Sequence, residues 1–471
     1  MTILADSHPA TGSSQPAAPG WGPLLVVLTS TFMVLLDFFI VNVALPSIQG
    51  GLHAGAAAVQ LVVASYGLTF AIGMISGGRL GDLYGRRRLF ALGLALFTLT
   101  SAACGLAPGT GFLVAARAAQ GIAAALMTPQ VLAILGTVYT GARRDRAFAA
   151  YGVAMGIAGV LGQLLGGVII TANIAGSGWR GIFLINVPVG LAALLVTGRV
   201  IPESRGNTAG LDLAGTVLVT VGLAAVVLPL IEGQQYGWPA WTWASLGAAP
   251  VLLAGFAAHQ RRRSAAGRAP LVDPGLLRIR AFAVGSATAL TFYLVPASFF
   301  FVLALYLQDG RGMSPLLSGT VFAAVGVGFF AALLTTGPMA RRLGRQVLAA
   351  GALAVAAGCL LFALADHAAS WVPLLPGLAV TGFGIGMVLV PLSSTVLRDI
   401  SPQHAGAAAG VLSTAQQIGG AVGIAVVGVV FYRALHLTQF PRAVTASMVL
   451  LAALTVLTAG LVQLLPREPG R

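Results

Sequence analysis

Asp37 lies deep inside the first apolar run of the chain, Trp21 to Leu45. A carboxylate costs roughly 2.5–3.5 kcal/mol at the centre of a membrane helix on insertion scales. Carrying a proton is the chemistry that would justify it. A second intramembrane charge, Arg117, falls in the fourth apolar run. Asp37 sits about 12 Å before the outer end of its span, and Arg117 about 9 Å past the outer end of its own, at 1.5 Å per residue. The depths match, so the two can pair. Burial favours the neutral carboxyl, whereas a nearby guanidinium favours the ionised one. Making and breaking the contact would switch Asp37 between holding and releasing a proton. A permanent buried ion pair is the alternative.

Other side chains in the spans suit a substrate rather than a proton. A site for varied organic molecules should be apolar and aromatic with few fixed hydrogen bonds. The candidates are Phe38, Asn42, Gln120, Gln163, Phe292 and Phe299, with Phe39, Tyr293, Phe300 and Phe301 beside them. Gln163 can bind substrate, or simply bond to span 13 near Gln416 and Gln417. Asp309, Asp366 and Asp399 fall at span ends, which leaves one proton site and disfavours dicationic substrates. The six histidines are scattered and no metal spacing, nucleotide loop or nucleophile triad occurs, so an enzyme is not expected and no cofactor is implied.

Between spans 2 and 3, Gly78, Asp82, Gly85, Arg86 and Arg87 form a compact charged turn. Glycine permits the tight turn. Asp82 can meet an arginine or a helix N-terminus, and a bond present in only one arrangement would act as a latch. An ordinary basic loop at the membrane surface is the plainer reading. In span 5, Gly156, Gly159, Gly162 and Gly166 recur at three- and four-residue steps, with Gly167 adjacent, a smooth face for close helix packing.

The elements that must position these residues are membrane helices. The 471-residue chain is 57% apolar and 8% charged, with a mean hydropathy of +0.92; a soluble domain carries about 25% charged residues. The apolar runs are uninterrupted rather than alternating, so membrane strands fit poorly. We count 14 spans, near 22–45, 59–78, 89–107, 111–138, 147–171, 181–200, 211–231, 241–259, 281–307, 315–338, 347–365, 371–396, 404–432 and 444–465. All 26 basic residues are arginine. With the N-terminus inside, 21 fall in inner segments and 4 in outer ones, with Arg117 within a span, as the positive-inside rule requires. The net charge of +14 is therefore a membrane signature and not a nucleic-acid one. Five of the six tryptophans fall at outer boundaries. Cys104 and Cys359 lie in different spans and suggest no disulfide.

The chain repeats itself. Gly85 in loop 2–3 and Gly344 in loop 10–11 are 259 residues apart, and the same shift carries span 1 onto span 9 and span 5 onto span 13. Two six-helix halves therefore flank an extra pair, a plan in which sites lie at the midplane between halves.

The loop 2–3 motif resembles the signature of the major facilitator superfamily. Further stretches resemble its 14-span drug/proton antiporters: Leu36-Asp37 through Asn42 to Pro46, Arg117 to Gln120-Gly121, Trp179-Arg180 through Asn186 to Pro188, and Leu211-Asp212 to Gly215. Span 5 departs from the family's Gly-Pro pattern, reading Gly162-Gln163-Leu-Leu-Gly166-Gly167. The resemblance implies an all-α polytopic protein with two pseudo-symmetric bundles and an inserted pair. Expected boundaries are 1–20 for a disordered tail, 21–200 for the first bundle, 201–260 for the inserted pair, 261–280 for a linker, 281–466 for the second bundle and 467–471 for a tail. It implies a monomeric proton-driven exporter of small amphipathic compounds in the cell membrane, both termini cytoplasmic, with small molecules, protons and lipid as partners. A dedicated exporter of one endogenous metabolite or lipid, and an importer on the same scaffold, remain alternatives; a membrane enzyme is a remote one.

Overall fold

A computed structural model describes residues 20–205, 212–268, 270–272, 274–365, 370–397, 400, 405–437 and 439–466. The expected tails at 1–19 and 467–471, along with Asp366 and Asp399, lie outside the described residues. Among the described residues there are helices and no strands. Among the described residues thirteen helices are long and apolar enough to cross a membrane, and fourteen when the bent pair Gly141–Gly159 and Leu161–Ala172 counts as one span, its halves meeting at 42°.

The first half comprises α1 (Gly22–Leu52), α2 (Ala56–Tyr84), α3 (Arg86–Gly105), α4 (Thr110–Val138), α5 (Gly141–Ala172), the short α6 (Gly181–Leu184) and α7 (Asn186–Val200). The inserted pair is α8 (Leu213–Gln235) and α9 (Ala240–Ala265). The second half holds α10 (Arg280–Leu305), α11 (Pro315–Leu343), α12 (Gln346–Ala365), α13 (Leu374–Leu397), α14 (Ala405–Leu437) and α15 (Phe440–Gln463).

Helix ends follow local chemistry. Pro23 opens α1, where its missing N–H costs nothing. Ser314 caps α11, its Oγ accepting the Leu317 N–H at 3.3 Å. Gly85 (φ +107°) ends α2 and Gly344 (φ +55°) ends α11. The two glycines related by the 259-residue shift thus both end a helix at positive φ, which a Cβ would strain.

Within the first half, α2 packs on α4, α4 on α3, and α1 on α5; within the second, α11 and α12 pack on α13, and α10 on α14. The halves meet along two seams, α5 against α11 and α2 against α14. The inserted pair leans on α2 and α14. Close approach at the first seam depends on Gly167, where an added Cβ would lie 2.5 Å from the Pro315 carbonyl.

Candidate functional site

The site is built on α1 and α4, with α3 and α7 behind them. Asp37 and Arg117 are both wholly buried and form an ion pair through Oδ2 and Nη1. The other carboxylate oxygen, Oδ1, accepts the Gln120 Nε2 at 3.0 Å and the Asn186 Nδ2 at 3.2 Å. Both amides also donate to the Ser101 Oγ at 2.9 Å. Arg117 donates through Nη1 to Gln120 Oε1 at 2.8 Å and through Nε to the Val62 carbonyl of α2 at 3.1 Å. Its guanidinium lies 4.2 Å from the centre of the Tyr66 ring, a cation–π contact. Its Nη2 is buried without a hydrogen-bond partner.

Each contributor has a local reason for its place. Arg117 and Gln120 are three residues apart on α4 and so share a face. Asn186 is the first residue of α7, which continues from the short α6 through the helical Ile185. One charge network therefore ties α1 to α2, α3, α4 and α7. Chemically it is a carboxylate with three donors, all of which lose their acceptor charge if a proton arrives.

The residues named from sequence divide into groups. Asp37, Arg117 and Gln120 come together as one network, so Gln120 serves the charge pair and does not face a cavity alone. Asn42 bonds its own helix, Nδ2 donating to the Phe38 and Phe39 carbonyls at 3.2 and 3.1 Å, while its Oδ1 is buried and unpartnered. Phe38 is half-buried, its ring 6.2 Å from Tyr66. Phe292 and Phe299 are fully buried, and Phe299 packs edge-on against Phe300 and Phe362 inside the second half. A bridge from α1 to the second half runs instead through Phe39, Phe300 and Phe322. Gln163 is buried with neither amide atom partnered, and Gln416 bonds Ser393, so the anticipated bond from span 5 to span 13 is not formed. The glycine face meets α1: Gly159 against Phe39, Gly162 against Phe39 and the Leu36 carbonyl, Gly166 against Ile40 and Val43.

In loop 2–3, Asp82 pairs with Arg86 at 3.0 Å. The Arg87 N–H donates to Glu203 at 3.0 Å, and Arg86 N–H to the Ser204 carbonyl at 2.9 Å. A Cβ at Gly85 would press on Glu203. Gly78 lies beside Pro129 of α4. Glu203, which follows α7, thus caps α3 and was not singled out in the sequence; an acid just beyond a span, facing three consecutive arginines, was the available signal. Asp212, just before α8, has the position of a solvated span end, yet it is buried, accepting from His259 at 2.9 Å, Gln260 at 2.7 Å and the Gly215 N–H at 2.9 Å. Burial pushes the carboxyl's pKa up, but the hydrogen bonds from His259, Gly215 and Gln260 outweigh this and hold it below the ordinary carboxylate range. Among the described residues no cluster of potential metal ligands occurs.

The family model described as Major Facilitator Superfamily matches residues 27–424. The chain belongs to this superfamily. As a superfamily member it is a multi-pass membrane transporter and not an enzyme. It is 38% identical over 429 residues to a probable actinorhodin transporter of Streptomyces coelicolor, covering 88% of this chain and 73% of the relative. It is 36% identical over 423 residues to the puromycin resistance protein pur8 of Streptomyces alboniger, covering 87% and 81%. It is 34% identical over 415 residues to the multidrug resistance protein Stp of Mycobacterium tuberculosis, covering 87% and 76%. Among solved structures, a D-xylose-proton symporter aligns with a TM-score of 0.69 at 15% identity, over 96% of this chain and 99% of that one. A bacterial homologue of the lysosomal transporter Spinster aligns at 0.67 and 16%, over 95% and 98%. At those identities the likeness concerns the fold.

Proposed function

We propose that this transporter is a proton-coupled antiporter that exports small amphipathic organic compounds by alternating access. The observation that carries the reading is the Asp37–Arg117 pair, wholly buried and ringed by Gln120, Asn186 and Ser101. Arg117, Gln120 and Asn186 all hold the ionised carboxylate. A proton on Asp37 removes the charge that these donors share, weakening the tie of α1 to α4 and α7 and freeing the halves to rock. Release of the proton on the other side restores it. One charge moved across ~100 mV is worth about 2.3 kcal/mol, enough for a roughly 50-fold gradient.

The proton motive force is then the energy source, with no cofactor. The 21 arginines of the inner segments support a cell-membrane orientation with both termini cytoplasmic. The protein works as a monomer in this scheme. Loop 2–3, through Gly78, Asp82, Gly85, Arg86 and Arg87, is the latch between arrangements. Phe38 and Asn42, on the side of α1 away from α5, supply the first-half wall of the substrate path, and Gln163, Phe292 and Phe299 are its remaining candidates.

The test is a pH gradient imposed on everted vesicles. The parent protein should accumulate substrate in proportion to the gradient, and Asp37→Asn should abolish that dependence. Full gradient-driven efflux by the Asn variant would overturn the reading.

A second reading is a carrier dedicated to one endogenous metabolite. It is favoured by relatives whose names give a single compound, actinorhodin, puromycin and cephamycin among them. A panel of dyes and antibiotics separates the two, because a dedicated carrier ignores most of the panel.

A further inference from the structure

Both seams between the halves bury a glutamine whose hydrogen bonding is incomplete. Gln163 on α5 is 2% exposed, and neither Oε1 nor Nε2 has a partner. Gln60 on α2 is also 2% exposed; its Oε1 has no partner and occupies the space that a Cβ on Gly428 of α14 would need. One turn along α14, the Tyr432 hydroxyl is buried and unpartnered as well. Of the ten buried side-chain nitrogen and oxygen atoms without a partner among the described residues, three belong to these two glutamines and a fourth to Tyr432, one turn from the Gln60 contact. In the inverted repeats of such transporters α2 and α5 occupy matching positions, so the two amides are related by the fold and not only by residue type.

The rest of each seam is apolar and close-packed. Gly167 meets Pro315 and Leu316, and Gly319 meets the Gln163 carbonyl. Ala57, Ala64 and Leu68 of α2 share an apolar cluster with Ala421 and Ala425 of α14. A buried polar atom without a partner is costly, and water or a new partner removes that cost once the surfaces part. An amide inside a small-residue contact therefore disfavours the shut seam relative to the parted one.

We propose that Gln163 and Gln60, with the Tyr432 hydroxyl, set the balance between shut and parted seams and keep the shut arrangement from becoming a trap. Gln163 takes the place of a helix-kinking proline in the family's pattern; α5 is bent by 42° close by without that proline, so what this residue adds to the seam is the unsatisfied amide. This proposal concerns the motion alone and holds whether or not the proton is the coupled ion.

The test uses one cysteine as a reporter. Ala57→Cys places a thiol in the α2–α14 seam, where a small charged maleimide reaches it only when that seam parts. Because the halves move as bodies, Gln163→Leu on the opposite seam should slow modification about tenfold. Gln163→Asn keeps a carboxamide and should keep the parent rate. Tyr432→Phe should slow the reaction in the same direction. An unchanged or faster rate with folded Gln163→Leu overturns the proposal. Cys104 and Cys359 are both buried and report unfolding in the same experiment. If the Leu variant exposes them, Tyr432→Phe, which removes a single oxygen, decides by the same criterion.

Discussion

Asn186 and Asp37 are 149 residues apart in the chain, yet the Asn186 Nδ2 donates to the Asp37 Oδ1 at 3.2 Å with both side chains buried. That bond joins the start of α7 to the middle of α1, and the Ser101 hydroxyl of α3 accepts from the same amide. A carboxylate in an apolar bundle is tolerable when its lone pairs are filled and a cation is near. Here Arg117, Gln120 and Asn186 meet both requirements.

Removing the cation should therefore harm the protein as well as its transport. Arg117→Ala leaves the buried Asp37 carboxyl without its counter-charge, and breaking a buried pair in this way costs about 3–5 kcal/mol. Arg117→Lys should rescue only part, because an ammonium cannot reach Asp37, Gln120 and the Val62 carbonyl at once. Thermal unfolding in detergent should rank the variants parent, then Lys, then Ala.

The α1–α5 contact should be intolerant of bulk at one glycine. A Cβ at Gly162 would stand 2.9 Å from the Phe39 Cβ and 3.4 Å from the Leu36 carbonyl. Gly162→Val forces the helices apart and should cost about 1–3 kcal/mol. Gly255, which has nothing within 4 Å of its added Cβ, is the control, and Gly255→Val should leave the unfolding temperature nearly unchanged.

Glu203 gives a salt-sensitive prediction. It caps α3 through the Arg87 N–H and lies 3.6 and 3.7 Å from the Arg87 and Arg88 side chains. These groups are partly exposed, so solvent screens them and Glu203→Ala should cost only about 1 kcal/mol. The deficit should shrink as salt is raised from low to molar concentration, where the Debye length falls to about 3 Å. A deficit independent of salt would leave the capping bond as its whole source.

Asp212 gives a pH prediction with a definite sign. Its carboxyl is held below the ordinary range, so it binds a proton less readily folded than unfolded. The stabilisation is complete above the unfolded value, about 3.9, and is lost as pH falls through the lower folded value. Asp212→Asn should be less stable than the parent at neutral pH, and the gap should narrow below about pH 3.9. Unfolding temperatures across that range check it. A constant gap would mean that the bonds to His259 and Gln260 do not depend on the charge.

Much of the architecture was legible in the chain because burial in a bilayer is written locally. Each span is a run of about 20 apolar residues, and each loop carries its arginines. The bend in α5 shows where that reading thins, since 13 helices pass the length and hydropathy test and the fourteenth appears when its two parts are joined. The Asp37–Arg117 pair was visible for the same reason, as two charges at matching depth. The glycine face of α5 was visible as a repeat.

The partners were decided by the tertiary structure. Asn186 and Ser101 are ordinary polar residues in apolar helices, and nothing near them in the chain points to a carboxylate on α1. Glu203 gives no sign of its partners in the chain, and Asp212 reads as a solvated span end, until α3 and α9 are set beside them. Helices that are apolar all round carry little record of their own rotation, so depth is encoded residue by residue while the facing direction is not. Which side chains meet across two helices depends on packing of the whole bundle, and only the assembled halves specify it.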